Sequence, residues 1–415
     1  MACAPPLIFL ALVCVQVLGG FEEFVGGPAQ AHHLLDPLVS LCTIDETTVR
    51  TQAVDAINTL GKKLSPEQIF NHLAPKVLGL FENADWFTPR VSACGLVATA
   101  YTGCKGCKKD AQTSYTSGDK ERTYKAEDLA RELAEAYRKQ FTDTEPMVRR
   151  SAALKLAEAA TSFGDETTKA ELVDVFSRLI EEQEQESIRV NALKSAATIF
   201  RVASLTDSEA GNKYLNCAND KSWRVRVAVS ESLPAVAYSR KMSEQPQELE
   251  ACQNTFLQLL GDSEAEVRHA TAAQSAAAAS VLGAQFAVAE LVPAVQALVT
   301  DDGVTNRVDL AGVLLEMAGP IGMPLAKNVF LAPQAAGSGS SDQADLSLLQ
   351  SMMNDPNTNL RLAVISKLTA LIDVLTIPQA AEGEAHTLLT PFVSALSRFF
   401  RCIILAICPL PPPSK

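Results

Sequence analysis

Residues Asp143 to Ala160 read DTEPMVRRSAALKLAEAA, and the order of residue types in this phrase sets the architecture of the whole chain. An acidic residue opens it, turn formers follow, and Arg149 then leads an Ala-rich apolar run of the kind that forms a buried helix. The same order appears upstream as DETTVRTQA from Asp45 and DWFTPRVSA from Asp85. Downstream it returns as EQESIRVNA from Glu184, DKSWRVRVA from Asp220, DSEAEVRHA from Asp262, DDGVTNRVDL from Asp301 and DPNTNLRLA from Asp355.

The leading arginines are Arg50, Arg90, Arg149, Arg189, Arg226, Arg268, Arg307 and Arg361, so successive intervals are 40, 59, 40, 37, 42, 39 and 54 residues. Five of the seven lie close to 40, the period of stacked helix pairs of the HEAT and armadillo class. A helix pair cannot bury its apolar face alone, so neighbouring pairs must stack and share a core. The expected fold is therefore an all-α, HEAT-repeat α-solenoid, a superhelix of stacked antiparallel helix pairs. Within one unit, residues Ile69 to Leu78 are expected on the first helix, DWFTP on the turn, and Arg90 to Ala100 on the second helix. Pro89, Pro146 and Pro356 suit the first turn of a second helix, where a missing N–H has no intrahelical partner. The two long intervals are assigned to loops at 103–120 (GCKGCKKDAQTSYTSGDK) and 332–345, the latter containing GSGSS. The array itself is expected over 29–397, preceded by a signal-like apolar segment at 1–28 and followed by a divergent apolar, Pro-rich tail at 398–415.

Composition supports this. Aromatics are 6% of the 415 residues while apolar residues reach 47%, which favours closely packed helices over sheets. Lys and Arg number 36 against 48 Asp and Glu, a formal charge of −12 that disfavours nucleic acid as a partner. Met1 to Gly20 has the length of a signal peptide and is short for a membrane span, yet the first basic residue is Arg50. The terminal FFRCIILAICPL is also too short to span a bilayer, so no membrane partner is expected.

Catalytic signatures are not found. None of His32, His33, His72, His269 and His386 stands in a metal-binding motif, and neither a phosphate-binding Gly-rich loop nor a GxSxG elbow occurs. No metal, no cofactor and no catalytic residue is expected. Cys104 and Cys107 form a CKGC pair that fits half a zinc site or a redox dithiol; the second CxxC is missing, and the pair is expected on a surface loop. EEQEQES at Glu181 to Ser187 is expected to be a solvated turn.

What remains is the ridge formed by successive turns. The recurring Arg lies near a helix N-terminus, where a cation opposes the macrodipole, so the preceding acid is expected to compensate it within or between repeats. The ridge displays Trp86, Phe87, Pro146, Met147, Trp223 and Arg224, residue types that anchor interfaces when exposed. The alternative is that these side chains fold back onto the adjacent repeat.

FVGGPAQAHHLLDPLVSLCTIDETTVR, DWFTPRVSACGL, PMVRRSAALKLAEAA and DKSWRVRVAVSESLP resemble the HEAT-repeat scaffold (A) subunit of protein phosphatase 2A over roughly residues 8 to 397. The resemblance implies a noncatalytic, cytoplasmic and nuclear scaffold holding one regulatory B subunit together with a serine/threonine phosphatase catalytic subunit. It places regulatory-subunit contacts at Asp85, Trp86, Phe87, Arg90, Pro146, Arg149, Arg150, Ser222, Trp223, Arg224 and Arg226. It also makes Leu7 to Leu18 a truncated repeat helix rather than a signal. The chain departs from the family pattern after Arg398, which leads us to expect loss of the catalytic-subunit site. A transport adaptor of the armadillo or importin type is the alternative function, but its regularly spaced inner Trp and Asn residues are absent.

Overall fold

Extended residues at Glu46, Trp86, Glu145, Gln185 and Glu264 stand directly before the helices that the Arg-led phrases open, and Glu46 also caps its helix through its side chain. In the computed structural model, described for residues 20–375 apart from 84, 109, 118–119, 182, 204–207, 242–245, 301–306 and 333–346, every phrase precedes or opens the second helix of an antiparallel pair. The chain divides into two units, ending at Ser232 and beginning at Leu233, and each is described by itself.

The first unit contains the pairs Leu35–Leu41 with Thr47–Gly61, and Pro66–His72 plus Ala74–Phe81 with Phe87–Gly106. Ala126–Lys139 then pairs with Pro146–Glu171, whose helical path breaks at Gly164. Gly164 has φ +76°, a left-handed conformation that ends the second helix of one repeat and lets the first helix of the next begin, continuing through Val173–Leu179. Glu186–Lys194 and Ala196–Val202 complete the fourth pair, and Ser208–Asn216 with Trp223–Lys241, a helix that continues past Ser232, opens the fifth. Leu38, Ile57, Leu96, Leu133, Leu156, Phe176 and Leu193 are inaccessible to solvent and form the shared core. Two aromatics tie pairs internally: Tyr137 donates to the Ala152 carbonyl at 2.7 Å and Tyr214 to that of Val229 at 3.2 Å.

Local chemistry accounts for the helix ends. Ser65 and Gln68 form a reciprocal capping box at the start of Pro66–His72, and Pro146 occupies the first helical position. Ala126–Lys139 has Glu127 and Asp128 in its first turn and Arg138 and Lys139 in its last, complementing the helix dipole. Two expectations shift by a few residues: the helix expected from Arg90 starts at Phe87, and Pro356 lies in the turn ahead of Thr358 rather than in the helix. The first helix of the second pair is interrupted at Leu73, before Pro75, because proline cannot donate the hydrogen bond that would carry the helix through.

The 103–120 segment is not a loop. The helix runs to Gly106, with Gly103 and Gly106 set flush against Pro66–His72 of the same pair; a Cβ on Gly103 would lie 2.2 Å from Ile69 Cγ2, so only glycine admits this approach. An antiparallel hairpin follows, β1 (Gln112–Ser117) with β2 (Lys120–Lys125), in register Gln112↔Lys125 through Ser117↔Lys120. It lies on the first helices of neighbouring pairs: Tyr115 covers Gly79, Arg122 Nη1 bonds Glu82 Oε1 at 2.8 Å, and Tyr124 is buried. Among the described residues, β-sheet is confined to this hairpin within an otherwise helical array.

The second unit pairs Pro246–Leu260 with Ala265–Ala273 and Ser275–Leu282. Next, Ala284–Phe286, which packs on Ala318–Ile321, passes through a π-helical turn at Ala287–Leu291 into Val292–Thr300, which faces Arg307–Glu316. Leu325–Leu331 and Leu348–Met353 then pack with Thr358–Leu375. Gly283 (φ +109°) and Gly322 (φ +71°) repeat the junction role of Gly164. The expected insertion at 332–345 therefore follows the helix ending at Leu331, and all of it except Ala332 lies outside the described residues. So do 1–19 of the N-terminal segment, the helix expected from His386, and the tail at 398–415. Among the described residues, no helix is long and apolar enough to cross a membrane.

Candidate functional site

Four of the turns are built by one acid and one arginine with divided roles. One carboxylate oxygen of Asp143, Asp220, Asp262 and Asp355 accepts the N–H two residues on, at 2.8–2.9 Å. The arginine six residues later reaches back to the carbonyl of that same acid: Arg149 to Asp143 O at 2.9 Å, Arg226 to Asp220 O at 2.7 Å, Arg268 to Asp262 O at 2.7 Å and Arg361 to Asp355 O at 2.6 Å. Arg50 does the same with Ile44 and Asp45 carbonyls. These contacts satisfy carbonyls at a tight turn and place the guanidinium between repeats.

The remaining bonds run between repeats. Arg90 Nε and Nη2 grip the Asp143 carboxylate at 2.7 and 3.1 Å, a bidentate pair. Arg149 pairs with Glu184 at 3.4 Å, Arg189 with Asp220, and Arg307 with Asp355. Compensation is thus within the repeat through carbonyls and between repeats through carboxylates. Between the first two repeats the link is different: Trp86 Nε1 donates to Asp45 Oδ1 at 2.9 Å.

Burial alone would raise the Asp143 carboxyl, but the Arg90 hydrogen bonds, the Glu145 N–H and nearby Arg149 outweigh it and hold the group below its ordinary value. A carboxyl depressed on folding contributes stability that is complete above its unfolded value, 3.8, and is lost as pH falls through the lower folded value. Acid unfolding followed by circular dichroism should therefore be less steep below about pH 4 for Asp143→Asn than for the parent chain. Equal acid dependence in both proteins would contradict the Arg90 clamp.

The eleven residues singled out from the sequence fall into three sets. Arg90, Arg149 and Arg226 are half-buried and engaged in the ladder. Asp85, Trp86, Arg150 and Arg224 are exposed, and beside them Met147 is 45% and Trp86 51% accessible. Phe87, Pro146, Ser222 and Trp223 are intermediate. The fold-back alternative therefore holds only in part. Trp86 stands out from the surface while its indole N–H is held, and its ring lies 5.3 Å from that of Phe87. Trp223 is partly covered by Arg224, whose guanidinium sits 4.5 Å above the ring.

Glu186 was not apparent from sequence. It accepts from Ser222 Oγ at 2.7 Å and lies 3.7 Å from Arg224, so it orients the next turn. The run Glu181–Ser187 is accordingly not merely a solvated turn: Glu181 bonds Lys213, Glu184 pairs with Arg149, and Glu186 holds Ser222. The fold also brings His32, His33 and His72 together, with rings 4.2 Å apart in succession. Among the described residues, no group of three or more His, Cys, Asp or Glu side chains is arranged to hold a metal.

Comparison with known proteins agrees with this architecture. Residues 246–322 match the family described as PPP2R1A-like HEAT repeat. The chain is 31% identical over 227 residues to the regulatory A subunit of protein phosphatase PP2A from Schizosaccharomyces pombe, a match covering 53% of this chain and 34% of that protein. It is 36% identical over 149 residues to the beta isoform of the 65 kDa regulatory A subunit of serine/threonine-protein phosphatase 2A from Rattus norvegicus, covering 36% of this chain and 21% of that one. The alpha isoform from Arabidopsis thaliana gives 36% identity over 151 residues, with 36% and 22% coverage. The matched stretches thus span about a third or less of these relatives' own length. In fold, the crystal structure of Kap121p bound to Ste12p is similar at a TM-score of 0.51 and 12% identity, covering 93% of this chain and 44% of that one. The chain has the fold of the HEAT-repeat α-solenoids, and the proteins it is similar to in sequence include regulatory A subunits of protein phosphatase 2A.

Proposed function

We propose that this chain is a noncatalytic scaffold of a protein phosphatase 2A complex, binding a regulatory B subunit along the turn ridge, in the cytoplasm and nucleus. One observation carries the proposal: Trp86, Met147, Arg150 and Arg224 are exposed on turns held rigid by the ladder beneath them. An interface gains most from anchors that are already ordered before the partner arrives. The half-buried Arg90, Arg149 and Arg226 act as positioning residues, and the exposed set supplies the contact. Identity to regulatory A subunits supports the choice of partner.

The test is capture of the tagged chain from its own cell lysate followed by mass spectrometry. Regulatory B subunits of protein phosphatase 2A should be enriched over a tag-only control. Enrichment of cargo proteins bearing extended basic signals, without phosphatase subunits, would instead indicate a transport adaptor.

A further inference from the structure

The CKGC pair does not lie on a solvent loop. Cys104 occupies the last turn of the helix ending at Gly106 and is 2% accessible, whereas Cys107, just beyond that end, is partly exposed. Cys107 N–H donates to Cys104 O at 3.3 Å, which closes an i to i+3 turn. Such a turn keeps its end Cα atoms within ~7 Å, overlapping the roughly 4.4–6.8 Å that a disulfide spans. Cys42, Cys94, Cys217 and Cys252 are all buried, so among the described cysteines Cys107 is the accessible thiol, with Cys104 one turn before it in the chain.

We propose that Cys104 and Cys107 form a two-thiol redox site, with Cys107 as the point of attack for a hydroperoxide and Cys104 as the thiol that resolves it. The Cys107 thiolate attacks one peroxide oxygen; an S–O bond forms, the O–O bond breaks, and the departing hydroxide is protonated to water. Cys104 then attacks the resulting sulfenic acid as the thiolate; the S–S bond forms, the S–O bond breaks, and a second water leaves. In total, two thiols are oxidised to one disulfide while one hydrogen peroxide is reduced to two waters. The bridge closes the end of the helix where Gly103 and Gly106 press on Ile69 and Pro66. It also fixes the root of the hairpin, which begins with the Ala111 N–H to Lys108 carbonyl bond.

Burial, then neighbouring Cys107, pushes the Cys104 thiol up to about 12, and burial, then Glu67, raises that of Cys107. Thiolate is therefore scarce at neutral pH, and the reaction should be slow there and accelerate with rising pH.

Trypsin cleaves after Lys105, between the two cysteines, so the bridge links two separate peptides. The folded chain should be treated with hydrogen peroxide, blocked with iodoacetamide and digested without reductant. Peptides 91–105 and 106–108 should be recovered joined, lighter by two hydrogens than their summed mass. Fragmentation should place the link on Cys104 rather than Cys94. In Cys107→Ser, which removes only the partly exposed thiol, the link should vanish and Cys104 should stay unoxidised. A bridge that forms only after urea is added would overturn the proposal, as would oxidation of Cys107 to sulfinic acid while Cys104 remains alkylatable on unfolding.

Discussion

Replacing Asp220 with alanine should lower the unfolding free energy by about 3–5 kcal/mol, the cost of leaving one partner of a buried ion pair uncompensated. The Arg189 and Asp220 side chains are 9% and 4% accessible, so solvent cannot take over the role of the missing carboxylate. The substitution also removes the acceptor for the Ser222 N–H, at 2.8 Å, in the turn that presents Trp223 and Arg224. Urea denaturation should show a lower midpoint with little change in slope. Combining it with Arg189→Met should recover much of the loss, because removing both charges leaves no buried ion unpaired. A loss below about 1 kcal/mol for the single variant, the range of exposed pairs, would show that the ladder is not a structural element.

Trp86→Ala combined with Arg150→Glu should weaken binding of a phosphatase 2A regulatory B subunit by at least 30-fold, equivalent to about 2 kcal/mol. Neither side chain is part of the buried core, so helicity should hardly change, and loss of the Trp86 hydrogen bond to Asp45 should cost no more than about 1 kcal/mol of stability. Asp45→Ala should give a smaller loss of affinity, since it frees the indole from its 2.9 Å hydrogen bond without removing the ring. Arg149→Glu should behave differently, because Arg149 holds the Asp143 carbonyl and the Glu184 carboxylate and its reversal disrupts the turn itself. Titration calorimetry with matched circular dichroism separates the two classes. Wild-type affinity in the Trp86 and Arg150 variant would exclude these side chains as anchors.

The repeat architecture was legible because the acid and arginine of each phrase are six residues apart or nearly so, and one local turn geometry serves them all. Partners across repeats were less accessible. Glu186 meets Ser222 36 residues away, and nothing in EEQEQES distinguishes a carboxylate facing the next turn from one facing water. The hairpin was missed because polar composition suggested a loop, although TSY (113–115) and ERTYK (121–125) alternate residues that the fold sends to opposite faces. Tyr124 is buried while Thr123 and Lys125 are exposed. Trp86 and Trp223 occupy equivalent turns but end with different exposure, since one indole finds Asp45 and the other is roofed by Arg224. Those contacts depend on the neighbouring repeat and on a following residue, so residue type alone does not settle them.

Direct titration of the purified, folded chain with a purified regulatory B subunit of protein phosphatase 2A bears most closely on the scaffold function. Saturable one-to-one binding, weakened by the Trp86 and Arg150 substitutions, is the expected result. Absence of binding by every regulatory-subunit class, from a chain whose helicity and cooperative melting show it to be folded, would contradict it.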